Sequence, residues 1–279
     1  FIMAGTRFLV AGTLLYAVMR ARGAPRPTRA QWLGAALVGA LLLAGGNGAV
    51  VWSEQRVASG IAALLVAVVP FWMVLLDWLR PGGRRPRAKV WLGIVVGFSG
   101  LALLIGPGQL RGAGVDLVGI GVLLVGTLLW ATGSLLSRGL PRPSAPLLGV
   151  AMQMLVGGVI LLALGTVTGE AGRIALHDVS ARSLVALAYL VVFGSLIAYS
   201  CYVWLLQVAP ASVVSTYAYV NPVIAVFLGW LVAGETVTAR TIVAAAVIIG
   251  AVGLINLSRP RAPASPPRPP SPSASPRPR

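Results

Sequence analysis

An all-helical integral membrane fold is what the sequence predicts, and three observations predict it. Of the 279 residues, 57% are hydrophobic and only 10% charged, where soluble domains carry about 25% charged residues; mean hydropathy is +0.89. The apolar residues collect into nine stretches close to the roughly 20 residues that a spanning helix needs. The basic residues collect in alternate connectors between those stretches.

The first stretch, Phe1–Met19, opens on an apolar residue with no charged region ahead of it. It reads as a span and not as a cleavable leader. With no Met at its head, the sequence reads as beginning part-way along a longer chain. Trp32–Ser53 carries Asn47 within the span, and Gly60–Leu79 carries Pro70 near its centre. In Val90–Gly106, Gly93 and Gly97 have the small-xxx-small spacing of close helix contact. Leu117–Ser137 places Thr127, Trp130, Ser134 and Ser137 at steps of three, four and three, which puts them on one helical face.

Leu147–Thr168 holds Gln153 and the Gly157-Gly158 pair. On Leu184–Leu206, Ser195, Tyr199 and Tyr202 share a face. On Ser212–Val232, Tyr217 and Asn221 are four apart, directly before Pro222, and Thr241–Leu257 is the last stretch. Residues 258–279 contain only Pro, Ser, Ala and Arg; they cannot build a core and predict a disordered tail.

Lys and Arg number 22 against 6 acids, a formal charge of +16. The connectors Arg20 to Arg29, Arg80 to Lys89 and Arg138 to Arg142, together with the tail, hold 16 positive residues. Connectors of the other parity hold 5: Arg56, Arg111, Arg173, Arg182 and Arg240. Positive residues stay cytoplasmic, so the first span runs inward and the C-terminus is cytoplasmic. Dispersed arginines do not form the single basic face that nucleic acid requires. The bilayer is the expected partner, nucleic acid is not, and association with further copies of the chain is an open alternative. Arg7 alone lies inside a span and needs a partner or an outer interface; because a long side chain near a helix end can snorkel, it reads as structural.

Soluble catalysis is excluded on inventory. A single cysteine, Cys201, and a single histidine, His177, leave neither a disulfide framework nor a metal cage. No GxxxxGK[ST] loop cradles a nucleotide. No cofactor and no metal are expected, and the chain does not read as an enzyme.

Four landmarks recur at a shift of 152 residues: Trp52 with Trp204, Gln55 with Gln207, Pro70 with Pro222, and Trp78 with Trp230. Equivalent spans are five helices apart, an odd step, so the second copy is inverted relative to the first. Inverted repeats place a solute site near the midplane between the copies. The first-copy partner of Leu117–Ser137 would lie upstream of Phe1. The prediction is therefore an inverted repeat of five-helix units, with nine spans present of an expected ten and the first helix missing.

The stretches "AGTRFLVAGTLL", "GNGAVVWSEQRVASGIAALLVAVVP", "WATGSLLSR" and "GSLIAYSCYVWLLQVAPASVVSTYAYVNPVIAVFLGWLVAGE" resemble the EamA-type permeases of the drug/metabolite transporter superfamily, in particular its YedA-like bacterial exporters. The pair Gly234-Glu235 is typical of the family; the first copy has Gly82-Gly83 there instead. The resemblance implies a first repeat over residues 1–106 and a second over 117–257, followed by the tail. It also implies a secondary-type exporter of small metabolites, amino-acid-like or drug-like solutes, in the bacterial plasma membrane, working by alternating access. An intramembrane lipid-modifying enzyme and an inactive truncated permease are the alternatives.

Asn47, Trp130, Ser134, Gln153, Tyr199, Tyr202, Tyr217 and Asn221 are the candidate solute-binding residues, because polar groups on a spanning helix turn toward the bundle interior. The competing reading for each is interhelical glue, worth about 0.6 kcal/mol apiece. Pro70 and Pro222 each lack an N–H and so release the carbonyls of Val66 and Ala218. These prolines read either as kinks lining a cavity or as purely structural bends.

Overall fold

The computed structural model describes residues 1–57, 59–83, 85–111, 116–173, 179–233 and 238–257. His177, the Gly234-Glu235 pair and the tail from residue 258 lie outside the described residues. Among those described, every regular element is helical: α1 (Ile2–Ala21), α2 (Arg29–Ser53), α3 (Ser59–Val66), α4 (Val69–Leu79), α5 (Ala88–Arg111), α6 (Leu117–Leu136), α7 (Pro146–Val167), α8 (Ala181–Val208), α9 (Ala211–Val214), α10 (Tyr217–Ala233) and α11 (Ala239–Leu257). Among the described residues six rods are long and apolar enough to cross a membrane: α1, α2, Ile61–Leu79, α6, α7 and α8. Ala88–Leu104 and Ala239–Ile255 are shorter apolar helices.

Local chemistry sets the helix ends. Thr28 opens α2 with a capping box: its hydroxyl accepts from the Gln31 N–H, and the Gln31 side chain accepts from the Thr28 N–H. Asp116 caps α6, its carboxylate accepting from the Val118 and Gly119 N–H groups at 2.9 and 3.0 Å. Each cap satisfies donors that the first turn leaves without a partner. Gly23 and Gly82, beyond the ends of α1 and α4, take φ of 83° and 76°, a left-handed turn that glycine enters without Cβ strain.

Two apolar stretches that read as single spans are divided. The first breaks at Ala67–Val68, so Pro70 sits in the first turn of α4, where its missing N–H costs no hydrogen bond. The second breaks at Ser215–Thr216, and Pro222 lies inside α10. Two long helices also widen locally: Ala40–Asn47 in α2 and Leu190–Tyr199 in α8 are π-helical. Such segments are uncommon and occur often at functional sites.

Small residues bring the helices together. A Cβ on Gly39 would lie 2.5 Å from the Gln153 carbonyl oxygen, and one on Gly158 would lie 2.9 Å from the Leu9 backbone nitrogen. So α2 and α1 both rest backbone-to-backbone on α7, the close approach that membrane helices use where lipid offers no hydrophobic drive. Elsewhere Tyr219 is fully buried and donates its hydroxyl to the Ile94 carbonyl at 3.3 Å, which fixes α10 against α5.

The helix ends sort into two groups. Ser53, closing α2, donates to the Gly119 carbonyl near the start of α6 at 3.0 Å. Arg56 stacks over Trp52 and reaches the Asp116 carboxylate at 3.8 Å, at the same end. At the opposite end Gln31 donates to the Arg142 carbonyl at 3.1 Å, and Arg138 donates to the Ala209 carbonyl at 2.6 Å. Burial lowers the Arg138 pKa from its ordinary value, while the Asp77 carboxylate acts in the opposite direction. Asp77 itself pairs with Arg80 at 2.9 Å.

Candidate solute cavity

A cavity of about 300 Å³ opens inside the bundle. Its walls come from α1 (Arg7, Phe8), α2 (Leu43, Asn47), α6 (Trp130), α8 (Gly194, Ala198, Tyr199, Cys201, Tyr202, Leu205), α9 (Val214) and α10 (Tyr217, Asn221). Both π-helical stretches contribute: Leu43 and Asn47 from one, Gly194, Ala198 and Tyr199 from the other. On α10, Tyr217 and Asn221 face the cavity while Tyr219 turns to α5. Residues four apart share a face and residues two apart oppose.

The structure brings six of the eight candidate residues onto this surface: Asn47, Trp130, Tyr199, Tyr202, Tyr217 and Asn221. The other two stand behind it. Gln153 on α7 accepts the Tyr199 hydroxyl at 2.8 Å, and the Ser134 and Tyr202 oxygens are 2.7 Å apart. Thr127 and Ser137, which share the α6 stripe, spend their hydroxyls on the Leu124 and Ser134 carbonyls of their own helix.

Hydrogen-bond directions around Tyr202 follow from counting protons. Trp130 Nε1–H donates to the Tyr202 oxygen at 2.8 Å. Ser134 has one hydroxyl hydrogen, and it goes to the Trp130 carbonyl at 2.6 Å. In the 2.7 Å pair with Ser134, Tyr202 must therefore be the donor. The result is a closed circuit through Trp130, Tyr202 and Ser134 that holds two aromatic rings 5.3 Å apart. Tyr217 packs edge-on against Tyr202, also at 5.3 Å.

Arg7 was not among the candidate solute-binding residues, and it finds the partner that an arginine inside a span needs. Instead of serving only as a snorkelling anchor, its side chain lines the cavity. One guanidinium N–H reaches the Asn47 oxygen at 3.4 Å, and the group lies 4.3 Å from the Phe8 ring centre. Its buried Nε has no hydrogen-bond partner among the described residues. The available signal was an arginine inside an apolar stretch.

The cavity has two unlike walls. Arg7 is five residues from the start of α1 and Asn47 six from the end of α2, each about 8–9 Å along its helix from the Ser53 end of the bundle. Trp130 and Tyr202 are each six residues from the opposite termini of α6 and α8, and Tyr217 begins α10. One wall is cationic and amide-lined, the other aromatic, and the two meet where Trp130 packs against Gly46 beside Asn47.

Apolar helices of spanning length packed around a partly polar cavity make this a multi-helix membrane protein. A model of the EamA-like transporter family matches residues 1–106 and again 117–257, and the chain belongs to that family. The uncharacterized inner membrane transporter YedA of Escherichia coli K12 is 40% identical over 265 residues, covering 95% of this chain and 84% of that protein. The uncharacterized transporter YvbV of Bacillus subtilis is 25% identical over 260 residues, covering 91% and 82%. A solved crystal structure 18% identical in sequence superposes with a TM-score of 0.73 over 92% of this chain and 88% of that one; the helical fold is shared.

Proposed function

We propose that this protein is a secondary transporter that exports small metabolites or drug-like solutes across the bacterial inner membrane by alternating access. The cavity at Asn47, Trp130, Tyr199, Tyr202, Tyr217 and Asn221 is the solute site in this reading. The observation that carries it is the position of Asn47 and Tyr199. They stand 152 residues apart, the spacing of the repeated landmarks, and each closes a π-helical stretch five residues before the repeated tryptophans Trp52 and Trp204. Both line the same cavity. A site built from equivalent positions of two inverted copies is how transporters place substrate near the midplane.

Nine spans, two inverted units and a cytoplasmic C-terminus complete this reading. The basic Arg20–Arg29, Arg80–Lys89 and Arg138–Arg142 connectors supply its orientation, with the Arg138 end cytoplasmic and the Arg7 end external. Rocking one unit against the other would expose the cavity to each side in turn, with solute and the bilayer as partners, further copies of the chain as an open alternative, and no cofactor.

The test is export from cells across a broad solute panel. Asn221→Leu removes two donors and one acceptor at similar volume and should abolish export of the transported solute at normal membrane abundance. Tyr217→Phe should cost about 1 kcal/mol, less than tenfold. Normal export by Asn221→Leu, with export lost in Trp78→Ala at equal abundance, would make the polar residues interhelical glue.

A further inference from the structure

We propose that the cavity selects small organic anions that carry an aromatic or apolar body, with the anionic group at Arg7 and Asn47 and the body against Trp130, Tyr202 and Tyr217. This rests on reading the cavity as the solute site and names the class of solute it takes.

Hydrogen-bonding capacity already spent inside the protein decides the matter. The Trp130–Tyr202–Ser134 circuit consumes the Trp130 N–H and the Tyr202 O–H. The Tyr199 O–H is consumed by Gln153. These groups form walls and have no proton left to offer a solute. At Arg7 and Asn47 the reverse holds. A guanidinium only donates, so Asn47 presents its oxygen to Arg7 and its NH2 is left over. Arg7 keeps most of its five N–H groups, including the buried Nε with no partner. The unspent capacity there is donors, and the charge is positive.

No carboxylate lines the cavity among the described residues. Asp77 and Asp116 are engaged at the bundle ends with Arg80 and Arg56. A cationic solute would meet Arg7 without a counter-charge, in a setting that screens poorly. A carboxylate would supply the missing acceptors and accept from a guanidinium in the forked geometry that suits it. About 300 Å³ sits at the small end of ligand pockets, room for a single-ring acid.

Cys201 provides the readout, because it is the chain's only cysteine, is exposed, and lines the same cavity. Purified protein in phosphatidylcholine nanodiscs is alkylated with N-ethylmaleimide in the presence of benzoate, benzamide or benzylamine. Benzoate should slow alkylation at concentrations at least about tenfold lower than benzamide, and benzylamine should be weakest; loss of one member of a buried charge pair commonly costs tenfold or more. Arg7→Gln should abolish the advantage of benzoate over benzamide, and Arg7→Lys should keep part of it.

Shielding by benzylamine or benzamide equal to or better than benzoate, with dependence on Asn221, overturns the anion proposal while the site reading stands. Shielding by no probe overturns both. Where Arg7→Gln fails to fold, the ranking of the three probes on the unaltered protein decides alone. Anionic lipid could be the occupant of Arg7 instead, since a headgroup phosphate shares this chemistry. Loss of benzoate shielding once phosphatidylglycerol replaces a third of the phosphatidylcholine assigns Arg7 to lipid and overturns the proposal.

Discussion

Replacing Tyr202 with Phe deletes one hydroxyl that joins two neighbours, and the structure allows the cost to be worked out bond by bond. The hydroxyl accepts from Trp130 at 2.8 Å and donates to Ser134 at 2.7 Å. Tyr202 is 8% exposed and Ser134 is 0%, so the Ser134 bond is closed to water and the Trp130 bond is largely shielded. At about 1 kcal/mol each, Tyr202→Phe should destabilise by about 2 kcal/mol. Ser134→Ala removes the shared bond and the one to the Trp130 carbonyl, which keeps its helical N–H partner, so about 1 kcal/mol is expected.

Only the Tyr202–Ser134 bond is common to both changes. The double variant should therefore be less destabilised than the sum of the singles, by about 1 kcal/mol. Couplings of this kind in membrane proteins average about 0.6 and reach about 1.7 kcal/mol. The assay is reversible unfolding of the purified protein in mixed micelles by sodium dodecyl sulfate titration, with all four members of the cycle. Additivity within about 0.3 kcal/mol, the behaviour of independent sites, would refute the closed circuit and with it the claim that these donors are spent.

Three further outcomes follow from the packing. Gln153→Leu strands the buried Tyr199 hydroxyl and should destabilise by about 1–3 kcal/mol, while adding Tyr199→Phe should recover much of that loss in the same titration. Gly39→Ala places a Cβ 2.5 Å from the Gln153 carbonyl oxygen, backbone that cannot swing aside; stability should fall by about 1–3 kcal/mol, read as reduced membrane abundance and a lower unfolding midpoint. Arg138→Gln shortens the group that ties α6 to the Ala209 carbonyl, and a membrane-impermeant maleimide applied from the Arg138 end should then label Cys201 faster.

The helices were legible because the bilayer imposes a simple rule on composition. Each apolar stretch falls on helical structure, and ends such as Thr28 and Asp116 carry recognisable caps. The interruptions were not legible. Pro70 marks a break, but the chain turns at Ala67–Val68 and uses the proline to start the next helix, whereas Pro222 sits inside α10. The residue type is the same and the outcome differs, because neighbouring helices decide which backbone groups find partners. The π-helical stretches leave no mark in periodicity at all.

For the cavity, spacing established faces but not depth. Ser134 and Trp130 share the face of α6 that spacing assigns them, yet only Trp130 reaches the cavity while Ser134 supports Tyr202 behind it. Arg7 was left out of the candidate site for a related reason. Its distance from the helix start favours snorkelling, and nothing in α1 itself reveals that Asn47 of α2 lies within 3.4 Å. Which helix covers which face is a tertiary fact.

Access to Cys201 from each side of the membrane tests the central claim most directly. The thiol lines the cavity and has no competitor in the chain, so labelling by an impermeant maleimide reports this position alone. In sealed right-side-out vesicles and in sealed inverted vesicles, alternating access predicts labelling of Cys201 from both faces, slowed in both by a saturating transported solute. Labelling from one face only, or labelling from both that no transported solute slows, would contradict a solute cavity that opens to each side in turn.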